Sequence, residues 1–318
     1  MGNINGSEKL VIFIHDNPDP DAIAASAALE LICRSVNVPS TVYYSGEIGR
    51  PENEIFLEHT GFVIEKVEKP GEIVEGGGTI AFLDFARASV NNRLPEGVEP
   101  DIIIDHHGTN MDVSSGGFIE VRDDVGAAST LMTKHLIDLG LDVDEVLASA
   151  LYYGIKTDTH DFTKNIHPGD FQALEYLSSR VDHELIDIFE SPPLSKETID
   201  ALGRAITNRK VELGVMTSYV GEVSSKDDIA QIADILMGEK DVLVVLVFGL
   251  VGEKMYMSAR NKDLDIDIGD IMSRAYSEYG GAGGHWHSAG GELDMSNFSG
   301  VEDAVEVINN IFLQEVMR

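Results

Sequence analysis

Leu10-Val11-Ile12-Phe13-Ile14-His15-Asp16-Asn17-Pro18-Asp19-Pro20-Asp21 passes from an unbroken apolar run straight into a histidine and a set of aspartates. The apolar part reads as a strand. Two further strand-like stretches end the same way: Ile80 to Leu83 stops at Asp84, and Ile102 to Ile104 stops at Asp105-His106-His107. A fourth stretch, Leu151-Tyr152-Tyr153-Gly154-Ile155-Lys156-Thr157, closes on Asp158. In a sheet of parallel strands, ligands gather just beyond the carboxyl ends. Carboxylates and imidazoles arriving there together can hold two divalent cations, the apparatus for attack on a phosphorus centre.

Outward from these stretches, residues 9–190 alternate strand-like and helix-like segments, the pattern of a doubly wound α/β domain. Strands are expected at Lys9–His15, Thr41–Tyr44, Thr79–Phe85, Asp101–Asp105 and Phe118–Val121, with helices at Asp21–Val36, Ala127–Leu139 and Val143–Tyr153. Ser191-Pro192-Pro193 marks a break, and Lys196–Lys210 reads as a connecting helix. Beyond it the order is strand, helix, strand, strand, helix: Val215–Val223, Asp227–Leu236, Val242–Leu250, Lys254–Ala259 and Ile266–Tyr279. A glycine-rich loop from Gly280 to Gly291 and a final helix, Val301–Val316, complete the chain. The expected layout is a domain over 1–190, a linker helix over 191–210 and a smaller α/β domain over 211–318.

Composition narrows the function classes. A hydrophobic content of 43% and a charged content of 25% are those of a soluble globular protein. The longest apolar run, Val242 to Val251, is too short to span a bilayer, so no membrane partner is expected. No basic, apolar leader opens the chain, which makes the cytoplasm the default location. Met1-Gly2 has the start of a myristoylation site, but Gly6 stands where Ser or Thr is needed. Cys33 is alone, excluding an intrachain disulfide and a thiolate metal cluster, and its apolar helical surroundings place it in the core. The net charge of −32 repels long polyanions, so stable binding of long duplex DNA is not expected. The charge fits a small substrate held by metals and local cations, or an adaptation to high internal salt, where screening removes the repulsion.

Each motif has a plain structural reading beside the chemical one. Asp19-Pro20-Asp21 suits a helix start, because Asp caps well, Pro fits the first position and acid favours the positive helix end. His15 adds a third donor within one tight loop, a mixture suited to Mn2+ or a similar borderline-hard ion. Asp84, at the end of a buried strand, is costly unless paired or metal-bound, although strand-end aspartates also serve in turns. Asp105-His106-His107 would be an expensive way to make a turn. The glycines of the C-terminal loop permit close approach of backbone N–H groups to a phosphate or base, or else form a hairpin.

The order His-x-x-x-Asp-Pro-Asp, strand-end Asp, Asp-His-His and Thr-Asp-Thr resembles the DHH phosphoesterase superfamily. Here these are His15 with Asp19 and Asp21, Asp84, Asp105-His106-His107, and Thr157-Asp158-Thr159. Gly283-Gly284-His285 through Gly290 is similar to the signature of the associated DHHA1 domain. Length and layout are similar to the members that degrade short oligoribonucleotides and dephosphorylate adenosine 3′,5′-bisphosphate (pAp). The resemblance implies a cleft between the domains and two divalent ions, Mn2+ foremost, with Mg2+ or Co2+ as substitutes. It implies that His15, Asp19 and Asp84 hold one ion, and that Asp21, Asp84, His106 and Asp158 hold the other, Asp84 bridging. Asp105 would orient an imidazole, and His107 would face the scissile phosphate. Arg260 matches the Ser-x-Arg segment of the family and would clamp a phosphate, with Gly283, Gly284, His285 and His287 adding substrate contacts. Trp286 offers a stacking face, and Arg274 reads as a solvated helix charge.

Two departures stand near the expected substrate: His160-Asp161 replaces the Gly-x of the usual Thr-Asp-Thr-Gly-x-Phe, and Phe85-Ala86-Arg87 follows Asp84. His160 reads equally as an added phosphate ligand or as a surface histidine. The expected partner is a short nucleotide or other phosphate ester, and a homodimer stays open. The alternatives are an exopolyphosphatase or pyrophosphatase, a RecJ-like single-strand exonuclease, and a non-catalytic nucleotide-binding module.

Overall fold

The computed structural model describes residues 8–48, 51–108, 117–190 and 194–318. The Met1-Gly2 start and the Ser191-Pro192-Pro193 break lie outside the described residues. The chain divides into two compact units, Met1–Pro192 and Pro193–Arg318.

The first unit runs β1 (Leu10–Phe13), α1 (Pro20–Ser35), β2 (Ser40–Tyr44), α2 (Pro51–Thr60), β3 (Glu65–Lys66), α3 (Pro70–Glu75), β4 (Thr79–Leu83), β5 (Ile102–Asp105) and β6 (Phe118–Val121). Four helices follow: α4 (Ala128–Asp138), α5 (Glu145–Asp158), α6 (Pro168–Ser178) and α7 (His183–Glu190). The sheet order is β3-β2-β1-β4-β5-β6, with every pairing parallel. The order reverses between β1 and β4, so a crevice opens at their carboxyl ends. His15 and Asp84 leave the sheet at that point.

Alternation along the strands gives the sheet two buried faces. Leu10, Ile12, Ala81, Leu83, Ile102 and Ile104 join the core with α1, α2 and α4 to α7. Val11, Phe13, Phe82 and Ile103 turn the other way, towards Ile73 and Val74 of α3 and towards Phe85, Ala86 and Leu94. The winding is therefore uneven. Helices pile on one face, while one short helix and the loop after β4 cover the other. Cys33 is fully buried on the helical side, as expected.

α1 begins with Asp19 as its cap, accepting the Ala22 N–H at 3.0 Å, and Pro20 in the first turn. α5 extends to Asp158, whereas the sequence pattern ended it at Tyr153. Gly154 does not break it; the missing side chain is what the packing needs. A Cβ there would lie 2.6 Å from Ser129 Oγ and 3.1 Å from Asp21 Cα.

The second unit runs α8 (Lys196–Asn208), β7 (Lys210–Glu212), β8 (Val215–Glu222), α9 (Lys226–Leu236), β9 (Val244–Val251), β10 (Lys254–Asn261) and α10 (Ile268–Tyr276). β11 (Gly280–His285), β12 (Ser288–Asp294), a short 3-10 turn and α11 (Val301–Val316) complete it. The sheet order is β11-β12-β10-β9-β8-β7, and β8 and β9 are parallel across the α9 crossover. α8 and α9 pack on one face and α10 and α11 on the other. Two details sharpen the expected layout. The connecting helix is part of the second unit, because Ala201 and Ala205 of α8 are buried against β8 and α9 residues. The glycine-rich stretch is a paired hairpin, β11 with β12. Its glycines answer to crowding: a Cβ at Gly284 would stand 2.5 Å from Ser288 O, and one at Gly269 of α10 would stand 2.4 Å from Gly284 O. Among the described residues, no helix is long and apolar enough to cross a membrane.

Candidate metal centre

Four chain segments of the first unit bring their donors together at the crevice. His15 Nε2 lies 3.7 Å from Asp19 Oδ1 and 3.4 Å from Asp84 Oδ2. His106 Nε2 lies 3.2 Å from Asp84 Oδ1, 3.0 Å from Asp158 Oδ2 and 3.9 Å from Asp21 Oδ2. Asp84 therefore presents one oxygen to each histidine. The donor atoms form three groups, His15-Asp19-Asp84, Asp21-His106-Asp158 and Asp84-His106-His107, each within 4.8 Å.

The backbone behind these side chains is specialised. Asp84 has φ 63°, in the left-handed region that non-glycine residues rarely occupy. Its N–H is held by Ile104 O at 2.9 Å, which ties the turn after β4 to β5. His15 Nδ1 sits 2.7 Å from Asp16 O, leaving Nε2 for the cluster. Asp21 is fully buried, and its two oxygens accept the Ala128 and Ser129 N–H groups of α4 at 2.7 and 2.8 Å.

The electrostatics are those of crowded carboxylates awaiting positive charge. Burial opposes a charged imidazole at His15, yet Asp19 and Asp84 outweigh it and the group is pushed up to about 11. Burial likewise opposes charge on His106, and Asp158 and Asp84 push it up to about 11. Burial acts to raise Asp84, but His106 and His15 hold it below the usual carboxylate range. Asp21 goes the other way: burial, then Asp84 and Asp158, push it well above that range.

The residues fit divalent cation binding. Asp84 Oδ1 and His106 Nε2 are buried polar atoms without a hydrogen-bond partner, a costly state that a cation between them would relieve. The donors are carboxylate oxygen and imidazole nitrogen without thiolate, the set that suits Mn2+ and its neighbours.

The remaining expected residues fall in two places. Asp105, 1% exposed, accepts from the His107 backbone N–H at 3.1 Å and lies 2.9 Å from His107 Nδ1. His107 itself is exposed, and the Asp105 contact raises its pKa against the opposing effect of burial. On the second unit, the Arg260 fork is already engaged: Nε and Nη2 meet Asp234 of α9 at 2.5 and 3.0 Å, and Nη1 meets Ser258 Oγ at 2.8 Å. Gly284 and His285 are exposed on β11, and Gly283 and His287 are half-buried beside them. Arg274 is an exposed helix charge, 3.5 Å from Glu315. His160 is exposed and begins a run of three left-handed residues, with φ 50°, 57° and 61° for His160, Asp161 and Phe162. That run keeps a backbone shape natural to glycine without the glycine.

Sequence reasoning missed the supports. Asp170 of α6 is fully buried and bonds the segment leading into α4. Arg93, from the loop after β4, stands 3.7 Å from Asp16 beside His15. A buried acid on a helix gives no local pattern, so only the Gly126-Ala127-Ala128-Ser129 start of α4 carried any signal.

Comparisons with known proteins agree with this picture. The DHH family, N-terminal domain model matches residues 9–155 and the DHHA1 domain model matches residues 212–314. An uncharacterized protein of Methanocaldococcus jannaschii is 36% identical over 296 residues, covering 92% of this chain and 60% of its own length. The cyclic-di-AMP phosphodiesterase PdeA of Listeria monocytogenes is 24% identical over 309 residues, covering 91% of this chain and 45% of its own length. The chain thus spans less than two thirds of these curated relatives. The crystal structure of an exopolyphosphatase-related protein from Bacteroides fragilis has the same fold, with a TM-score of 0.70 at 19% identity over 98% of this chain and 94% of that one. With both domain models matched in order along its length, the chain belongs to the DHH family and carries a DHHA1 domain after the DHH domain.

Proposed function

We propose that this protein is an Mn2+-dependent phosphoesterase that hydrolyses short oligoribonucleotides, pAp or linear dinucleotides. The observation that carries the reading is Asp84, which offers separate oxygens to His15 and His106 at the point where the strand order reverses. His15, Asp19 and Asp84 would hold one ion; Asp21, Asp84, His106 and Asp158 would hold the other. Such ions, when bound, polarise a phosphoryl oxygen and lower the pKa of water towards neutrality.

The chain's own groups supply the rest. Asp105 fixes His107 through Nδ1, so Nε2 is left to donate to a phosphoryl oxygen as negative charge grows there. Arg260, Gly283, Gly284, His285 and His287 are the proposed contacts to the remainder of the substrate. The net charge of −32 supports a short substrate over a long polyanion.

The test is an activity profile of the pure protein with Mn2+ against pAp, dinucleotides, cyclic dinucleotides, polyphosphate and long single-stranded DNA. Turnover of the short esters is expected, together with its loss in Asp158→Ala. No turnover of any phosphate ester would defeat the proposal, and processive degradation of the long strand would replace it with an exonuclease reading.

A further inference from the structure

α4 starts without a side-chain cap of its own, since Ala127 stands at the cap position. Two buried carboxylates from distant parts of the chain hold its first turn instead. Asp21 takes the Ala128 and Ser129 N–H groups, as described above. Asp170 takes the Gly126 N–H with both oxygens, at 3.0 and 2.9 Å, and the Thr130 hydroxyl at 2.5 Å. Its remaining bond, from the His167 N–H at 2.7 Å, closes the start of its own helix.

Capping α6 would need only that last contact. The others reach back across the chain to the entrance of α4. The entrance has no slack: a Cβ at Gly126 would meet Asn165 O and Thr159 Cγ2, both at 2.6 Å. Thr159 directly follows Asp158, so the same packing also borders a second expected ligand.

We propose that Asp170 is a positioning residue for the metal centre. It fixes Gly126 and Thr130, the turn between them presents the Ala128 and Ser129 N–H groups, and these lock the orientation of the Asp21 carboxylate. A carboxylate with both oxygens tied to amides cannot swing, and its Oδ2 stays 3.9 Å from His106 Nε2. Cation sites need such ligands held to within roughly 0.5 Å, and losing a supporting partner typically weakens metal binding about 10–100-fold.

The inference rests on the metal-dependent reading above and is tested without activity. Mn2+ is titrated into the full-length protein and free Mn2+ is followed by electron paramagnetic resonance. Wild type, Asp170→Asn, Thr130→Val and Leu177→Ala are compared at a temperature where circular dichroism shows each one folded. Leu177, fully buried on the same helix, controls for lost stability alone. Asp170→Asn is expected to bind Mn2+ about 10-fold more weakly, Thr130→Val a few-fold more weakly, and Leu177→Ala as wild type despite a lower melting temperature. Wild-type affinity in Asp170→Asn overturns the positioning role alone. If that variant fails to fold, unaltered affinity in Thr130→Val overturns it. Wild-type protein that binds no Mn2+ overturns the metal reading and this inference with it.

Discussion

In the first unit Asp21, Asp84 and Asp105 are at most 3% exposed; Asp21 and Asp105 accept from backbone amides and the Asp84 N–H is held by Ile104 O, whereas in the second unit Gly284 and His285 lie open on a hairpin. The first arrangement is built from within: strand ends, a helix start and a helix end hold the donors, and burial makes the charges of Asp21, Asp84 and His106 depend on their neighbours. In the second, Arg260 is balanced by Asp234, whose side chain is 61% exposed, so the pairing is cheap to break. Chemistry that needs fixed geometry sits in the first kind of setting. Graded recognition suits the second. Substitutions should therefore act steeply in one unit and gently in the other.

The steepest effect is expected at Asp84. Asn tolerates the left-handed backbone that Asp84 adopts, so Asp84→Asn should fold while replacing one of the two carboxylate oxygens with an amide nitrogen and removing the charge. Turnover of a short phosphate ester should fall by more than about 100-fold, beyond the loss of a supporting partner. Mn2+ at 100 times its Kd should stabilise wild type by about 2.7 kcal/mol and the variant hardly at all. Equal thermal shifts in the two proteins would remove Asp84 from the site and erase the contrast between the units.

A middle-sized effect is expected at Asp234. Asp234→Asn frees the Arg260 fork from a pairing worth at most about 1 kcal/mol. KM for the short substrate should drop up to about five-fold with kcat unchanged. A rise in KM would mean that Asp234 presents Arg260 to the substrate rather than competing for it.

The smallest effect concerns His160, two residues after Asp158. Left-handed backbone costs a non-glycine residue about 1–2 kcal/mol, part of which Gly gives back through its freer unfolded chain. His160→Gly should raise the urea midpoint by roughly 0.5–1 kcal/mol of stability on those grounds. An unchanged or lower midpoint would show that contacts of the imidazole compensate for the backbone.

Much of this was legible in the sequence because the chemistry lies at strand ends. Apolar runs that stop at His15, Asp84 and Asp105 announce both the strands and the crevice, and no tertiary knowledge is needed to read them. Asp158 was legible as a residue but not as the last turn of α5, since Gly154 reads locally as a break. The β11–β12 hairpin was only one of two readings, because glycines erase the alternation by which strands are recognised. α2, α3, α6 and α7 carry mixed surfaces whose role emerges only from packing. Asp170 was invisible for a different reason: its partners at Gly126 and Thr130 lie some forty positions away, and no spacing rule links them.

Asp21 spends its oxygens on the opening amides of α4, a helix that has no cap of its own. A single inherited change at this position would therefore remove a proposed cation donor and loosen the start of a buried helix in one stroke. Selection cannot adjust either job separately there, so lineages that abandon the chemistry must find another way to begin that helix.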